Sequence, residues 1–150
     1  PLSCLTQARF GISWGVVGAA RDAFGDALQY AKDREQFGGP IARFQLQQGK
    51  FAEMATQITN AQLQAHRLTE LKERGDLRHQ HVSMAKRHNV RVARDVTRTA
   101  REVLGGNGIT TDYSPMRHME NIETVYTYEG THDIHTLVIG ADLTGIEAFE

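Results

Sequence analysis

Apolar residues recur along this chain at helical spacing, and no stretch alternates convincingly with the period of a strand. The three prolines, Pro1, Pro40 and Pro115, fall where helical patterns start or stop. The pattern predicts a first helix over about Ser3 to Arg34, closed by Phe37-Gly38-Gly39-Pro40. A second runs from about Phe44 to Glu73 and ends at Arg74-Gly75; a third runs from about Asp76 to Leu104 and stops at Gly105-Gly106. A shorter fourth covers about Ser114 to Thr124, with Ser114 as N-cap and Pro115 at the first helical position. A fifth starts near Thr131 or Asp133 and runs towards Glu150.

The third helix carries the clearest seam. Val82, Ala85, Asn89, Val92, Val96, Thr99 and Val103 alternate at three and four residues, as an antiparallel bundle demands. Arg87, Arg91, Arg94, Arg98 and Arg101 repeat on its other side; such a face is either solvated and salt-bridged or anion-binding. In the first helix Ala8, Gly11, Gly15, Gly18 and Gly25 share a stripe. Each interior glycine costs about 1 kcal/mol relative to alanine. Close approach by another helix, in the bundle or across a subunit boundary, is the simplest use for them. Together these patterns predict an all-α, up-down four-helix-bundle-like domain with a short additional helix.

Composition narrows the picture without deciding it. One hundred and fifty residues suffice for one domain. Seventeen basic and 18 acidic side chains give a net charge of −1, so nothing global points to nucleic acid or an anionic membrane. Cys4 is the only cysteine, which rules out a disulfide framework within the chain and fits a reducing intracellular compartment. The longest apolar run, Phe10 to Ala20, is too short to span a bilayer. The chain opens at Pro1 directly in helix-like sequence and is expected to be part of a longer protein.

Candidate chemistry concentrates in Tyr128-Glu129-Gly130-Thr131-His132-Asp133, between the fourth and fifth helices. It sets a carboxylate between an aromatic ring and a glycine, where backbone can approach a ligand closely. Carboxylates shielded from water by apolar surface gain proton affinity, as general bases require; a solvated loop glutamate is the plainer alternative. Gly105-Gly106-Asn107-Gly108 reads as a helix C-cap or as bare backbone against a cofactor. It is not a dinucleotide fingerprint, since no strand precedes it. Arg34 favours the negative end of the first helix's dipole, and beside Phe37 and Gly38 it could also fork onto a pyrophosphate. Arg9 reads first as a surface charge. His79-x-His81 and His132-Asp133-x-His135 lack a second ligand pair, so no metal site is expected; caps and hydrogen-bonding roles suit them better. Trp14 and the methionines lie at core-like spacing.

Taken together, these residues resemble the C-terminal helical domain of the acyl-CoA dehydrogenase flavoproteins. The likeness runs through nearly the whole chain: Arg9, Arg34-x-x-Phe37-Gly38, Gln45, Glu102 to Gly108, and Tyr128-Glu129-Gly130-Thr131. Within the family, Thr127 to His135, Leu104 to Ile109 and Ala8 to Ile12 are most similar to the glutaryl-CoA branch.

The resemblance implies FAD-dependent α,β-dehydrogenation of an acyl-CoA thioester. Glu129 would take the pro-R α-proton while the β-hydrogen leaves as hydride to the flavin, with the Glu129 N–H and a ribityl hydroxyl stabilising the enolate. In the glutaryl-CoA branch CO2 then leaves, and protonation gives crotonyl-CoA. By match of position, Arg34, Phe37, Gln45, Glu102, Val103, Leu104, Gly105, Gly106, Thr131 and Phe149 would bind FAD, with Arg34 and Gln45 reaching across a subunit interface. Leu2, Ser3, Cys4, Leu5, Thr6, Gln7, Ala8, Arg9 and Gly130 would line the thioester channel. Glu102 departs from the glutamine common in the family; its charge beside a phosphate implies contact mainly through backbone. An electron-transfer flavoprotein partner, a homotetramer, and a cytoplasmic location in a bacterium (the mitochondrial matrix in a eukaryote) also follow from the likeness. So do two alternatives: a non-decarboxylating or other-chain acyl-CoA dehydrogenase, and a catalytically inactive helical oligomerisation domain.

Overall fold

The computed structural model describes residues 2–148, and of Leu2 and Ser3 the backbone alone. Five α-helices carry the fold: α1 (Leu2–Asp33), α2 (Gln45–Glu73), α3 (His79–Val103), α4 (Ser114–Thr127) and α5 (His132–Thr144). The third helix is central and packs against the other four, while α1 also meets α2 and α4. This is the predicted all-α bundle, with α5 laid mainly along α3.

Burial of α3 explains its place. The predicted seam is buried except at Thr99, which is half-buried, and Asn89 is more than an apolar filler. Its Nδ2 donates to the carbonyls of Ser13 in α1 and Ala61 in α2, both at 3.0 Å, tying three helices together inside the core. A second buried stripe was not foreseen: Lys86, Val90, Ala93, Thr97, Ala100 and Leu104, again alternating at four and three residues. The arginine face is partly salt-bridged, since Arg94 and Arg98 both reach Glu123 of α4 and Arg94 also stacks over Tyr126.

Local chemistry sets the element ends. Gly75 is left-handed (φ 76°), and the N–H groups of Gly75 and Asp76 return to Lys72 and Leu71, so α2 closes as a Schellman turn. The following helix therefore begins at His79, later than the predicted Asp76, and the Arg78 N–H is capped by His81 Nδ1 at 3.2 Å. Tyr113, not Ser114, is the N-cap of α4. The Asp26 carboxylate of α1 accepts from the Ser114 N–H at 2.8 Å, a cap supplied from another helix. The fifth helix stops at Thr144, short of the expected Glu150, because Gly145 turns left-handed (φ 70°). Between α1 and α2 lies a miniature hairpin, Glu35–Gln36 against Gly39–Pro40, turned by Phe37 and Gly38 at positive φ.

The glycine stripe does not serve helix crossing within the chain. Gly11, Gly15, Gly18 and Gly25 are exposed, and an added Cβ at any of them would meet nothing within 4 Å. Gly11 and Gly15 instead border an apolar groove of about 400 Å³ between α1 and α4 that ends at Tyr128. The core-like assignment of the methionines also needs correction: Met54 is buried, but Met84 is exposed.

Candidate functional site

The turn joining α4 to α5 is built around an unusual backbone. Among the described residues, Phe37 and Glu129 are the non-glycine residues at positive φ, 55° and 57°. Left-handed conformations cost non-glycine residues energy and persist where surroundings enforce them. At Glu129 the enforcement is visible. Lys86 Nζ donates to the Tyr128 carbonyl at 2.8 Å and to the Gly130 carbonyl at 2.7 Å. Arg9 Nε donates to the carbonyl between them, that of Glu129, at 2.7 Å. Three successive carbonyls thus point at two cations.

Its neighbours are tightly set. Glu129 is half-buried, and its Oε2 is buried without a hydrogen-bond partner. Gly130 (φ 93°) lies against His135 and Arg9: an added Cβ would sit 3.0 Å from His135 Nε2 and 3.2 Å from Arg9 Nη2. His135 is fully buried. Burial, then the nearby charges of Lys86 and Arg9, push its imidazolium form down to a pKa of about 4, leaving a neutral ring. Neither ring nitrogen finds a well-formed hydrogen bond, although the Glu129 backbone lies close enough to favour the charged form, and the ring packs under Gly130. His132 stacks on Tyr126 at 4.7 Å between centroids. Thr131 caps α5 by accepting from the Ile134 N–H, which leaves its residue surface exposed.

Lys86 was missed at the sequence level. It stands 1 % exposed in the middle of α3. Burial, then the nearby Arg9 charge, lowers its pKa to about 8, partly offset by the Glu129 charge, so at neutral pH a charged ammonium is kept inside the fold. The available signal was its position: a lysine in the second apolar stripe, where Val82, Val90 and Ala93 flank it at helical spacing.

The remaining candidates separate. Cys4 and Ala8 are exposed, Leu5 and Thr6 half-buried, and Gln7 Oε1 accepts from Lys72 at 2.8 Å, all in the first turns of α1 near Arg9. Arg9, read as a surface charge, is instead a partner of the Glu129 turn. Arg34, Phe37, Gln45 and Glu102 to Gly106 gather at the opposite end of the bundle. Arg9 and Arg34 are 25 residues apart along α1, roughly 37 Å at helical rise. One chain therefore does not bring the Gly-rich loop and Arg34 to its own Glu129.

That far end has its own character. Phe37 is 89 % exposed and Leu46 84 % exposed, and the Arg34 guanidinium has no partner among the described residues. The hairpin fixes this corner, with Ile41 N–H bonded to the Arg34 carbonyl at 2.8 Å. A cleft of about 660 Å³ is lined by Phe37, Phe44, Gln45 and Leu46, and a smaller one joins Arg34 to Asn107. Glu102 is held by Lys50 at 3.3 Å, which moderates the repulsion its charge would offer a phosphate. Val103 and Leu104 are core residues whose side chains are buried, so only their backbone could meet a ligand. Gly105 (φ 59°) and Gly106 leave open space where a Cβ would stand. A free guanidinium, the exposed Phe37 ring and bare backbone fit the adenosine and pyrophosphate of a dinucleotide. Another cleft of about 610 Å³ between α2 and α3, lined by Lys50, Arg91 and Asp95 among others, lies away from Glu129. Phe149 falls outside the described residues. Among those residues no cluster of metal-ligating groups occurs, and no helix is long and apolar enough to cross a membrane.

Comparison with known proteins gives these two ends a family. The family model described as acyl-CoA dehydrogenase, C-terminal domain, matches residues 1–144. A crystal structure of glutaryl-CoA dehydrogenase from Mycobacterium smegmatis superposes with a TM-score of 0.98 at 51 % identity, covering all of this chain and 39 % of that one. A second such structure from the same organism, in complex with FADH2, superposes equally at 45 % identity with the same coverage. A short-chain-specific acyl-CoA dehydrogenase from Megasphaera elsdenii is 34 % identical over 139 residues, 93 % of this chain and 36 % of its own length. The chain thus spans little more than a third of these relatives. It belongs to the acyl-CoA dehydrogenase family, whose C-terminal helical domain it represents.

Proposed function

We propose that this chain is the C-terminal domain of a longer FAD-dependent acyl-CoA dehydrogenase in which Glu129 is the catalytic base. The observation that carries this is the Glu129 turn: a carboxylate with a buried, unpartnered oxygen, held in a left-handed backbone by cations on the carbonyls around it. An acceptor atom kept dry and unpaired is poised for a proton that arrives with substrate. Gly130 and the opening turns of α1 flank the turn, where the thioester would lie, and the groove ending at Tyr128 offers apolar wall for an acyl chain. Glu129 removes the α-proton, and its N–H lies where the thioester oxygen gains charge. FAD supplies the acceptor for the hydride lost from the β-carbon.

Because the base and the dinucleotide-type corner lie at opposite ends of α1, the cofactor of one active site draws Arg34, Phe37 and Gln45 from a second copy. Thr131, beside the base, belongs to the other half of that site. Glutaryl-CoA is the substrate we favour, on the 51 % identity to the Mycobacterium smegmatis enzyme. Oxidation is then followed by loss of the distal carboxylate as CO2, and Glu129 returns its proton to give crotonyl-CoA. Electrons leave through an electron-transfer flavoprotein. The similarity to the Megasphaera elsdenii short-chain enzyme keeps a non-decarboxylating reaction as the second reading; CO2 release from glutaryl-CoA separates the two.

Glu129→Gln in the full-length protein tests the base. Flavin should remain bound while its bleaching by substrate disappears; bleaching at the wild-type rate would refute the role.

A further inference from the structure

We infer that Lys86 is a positioning residue for the reaction, its ammonium gripping the Tyr128 and Gly130 carbonyls so that Glu129 is presented to substrate. This rests on Glu129 as base and goes further, by naming what holds the base. The geometry is specific. Both Nζ bonds are short, at 2.8 and 2.7 Å, and they bracket the residue at φ 57°. If either carbonyl turned away, Glu129 could relax to an ordinary backbone and carry its carboxylate with it. Arg9 secures the middle carbonyl from α1, so the turn is held from two helices.

Lys86 also differs from a structural lysine in its setting. It is buried in the apolar stripe of α3, where an alanine or leucine would pack with no desolvation to offset. The titratable groups that face it are Arg9 from α1, Glu129 from the turn, and His132 and His135 from α5. Arg9 repels it and Glu129 attracts it, yet burial still makes its charge costly. A side chain kept charged at such a cost, with two hydrogen bonds placed around Glu129, is explained by the position of that base. The carboxylate itself is left for chemistry, because the ammonium donates to backbone rather than to Oε2.

The test uses the full-length flavoprotein with Lys86→Met, Lys86→Arg and Glu129→Gln prepared side by side. Flavin content, the substrate concentration at half-saturation and the limiting rate of flavin bleaching by an acyl-CoA are read separately. Lys86→Met should keep its flavin and shift half-saturation by less than about threefold, while the limiting rate falls on the order of 100-fold, as expected of a misplaced catalytic group. Lys86→Arg, which keeps charge and donors, should recover at least about tenfold of that loss. A Lys86→Met protein that bleaches within about threefold of wild type, or one that loses half-saturation instead of rate, overturns the inference. Where Lys86→Met fails to take up flavin, Lys86→Arg decides. A rate within about tenfold of wild type supports the grip, and a flavin-loaded protein as inert as Glu129→Gln overturns it. Failure of the base itself shows differently. Bleaching by Glu129→Gln removes the base, whereas an inert Glu129→Gln beside a fully active Lys86→Met leaves the base standing and removes only the grip.

Discussion

His135 shows how a single residue ties the site to the stability of the fold. Its ring lies under Gly130, fully buried and neutral, with a pKa near 4 against an ordinary 6.5. The unfolded chain binds more protons at that position between the two values, so stability is complete above about pH 6.5 and is lost as pH falls towards 4. The full penalty is of order 3 kcal/mol. His135→Leu should flatten the dependence of the melting temperature on pH in this window. Burial also lowers His88 and His132, and these leave a residual slope. An unchanged slope in the variant would mean that His135 is not the group that titrates. The residue itself was visible in the sequence as part of His-Asp-Ile-His, but its role was not. Spacing suggested caps and hydrogen bonds, and only the approach of Gly130 to the ring reveals a packing function.

At the scale of the element, the breaks in hydrophobic periodicity marked the helices well, and capping chemistry set where each one ends. Gly75 and Gly145 terminate α2 and α5 through left-handed turns; the first was read from the sequence as a helix end, the second was passed over. The start of α4 at Ser114 was legible, but its cap was misassigned because the capping carboxylate is that of Asp26, 88 residues away, a contact with no local signature. Asn89 and Lys86 divide in the same way. Both stand in apolar stripes of α3, and both were readable as polar residues at buried positions, but their partners are carbonyls brought near only by folding. Asn89 makes two buried hydrogen bonds across helices, so Asn89→Ala should destabilise the protein by about 2–3 kcal/mol. Denaturant unfolding checks this, and a loss under about 0.5 kcal/mol, typical of surface changes, would show that the bridge between α1, α2 and α3 is dispensable.

Across the whole molecule, the two groups of functional residues are separated by the length of α1. The sequence listed both groups in order without revealing that helix geometry holds them about 37 Å apart. Under the proposed function each chain would contribute a base to one active site and a cofactor corner to another, and within the chain the glycine face of α1 is open. Mixed oligomers of full-length Arg34→Ala and Glu129→Gln chains test this most directly. Each variant alone should fail, the first for poor flavin retention and the second for want of a base. Random pairing of the two should restore about a quarter of the wild-type amplitude of substrate-dependent flavin bleaching, because one site in each mixed pair is intact. A mixture as inactive as its two components would contradict the account, since it would place Arg34 and Glu129 in the same site of the same chain or outside the reaction altogether.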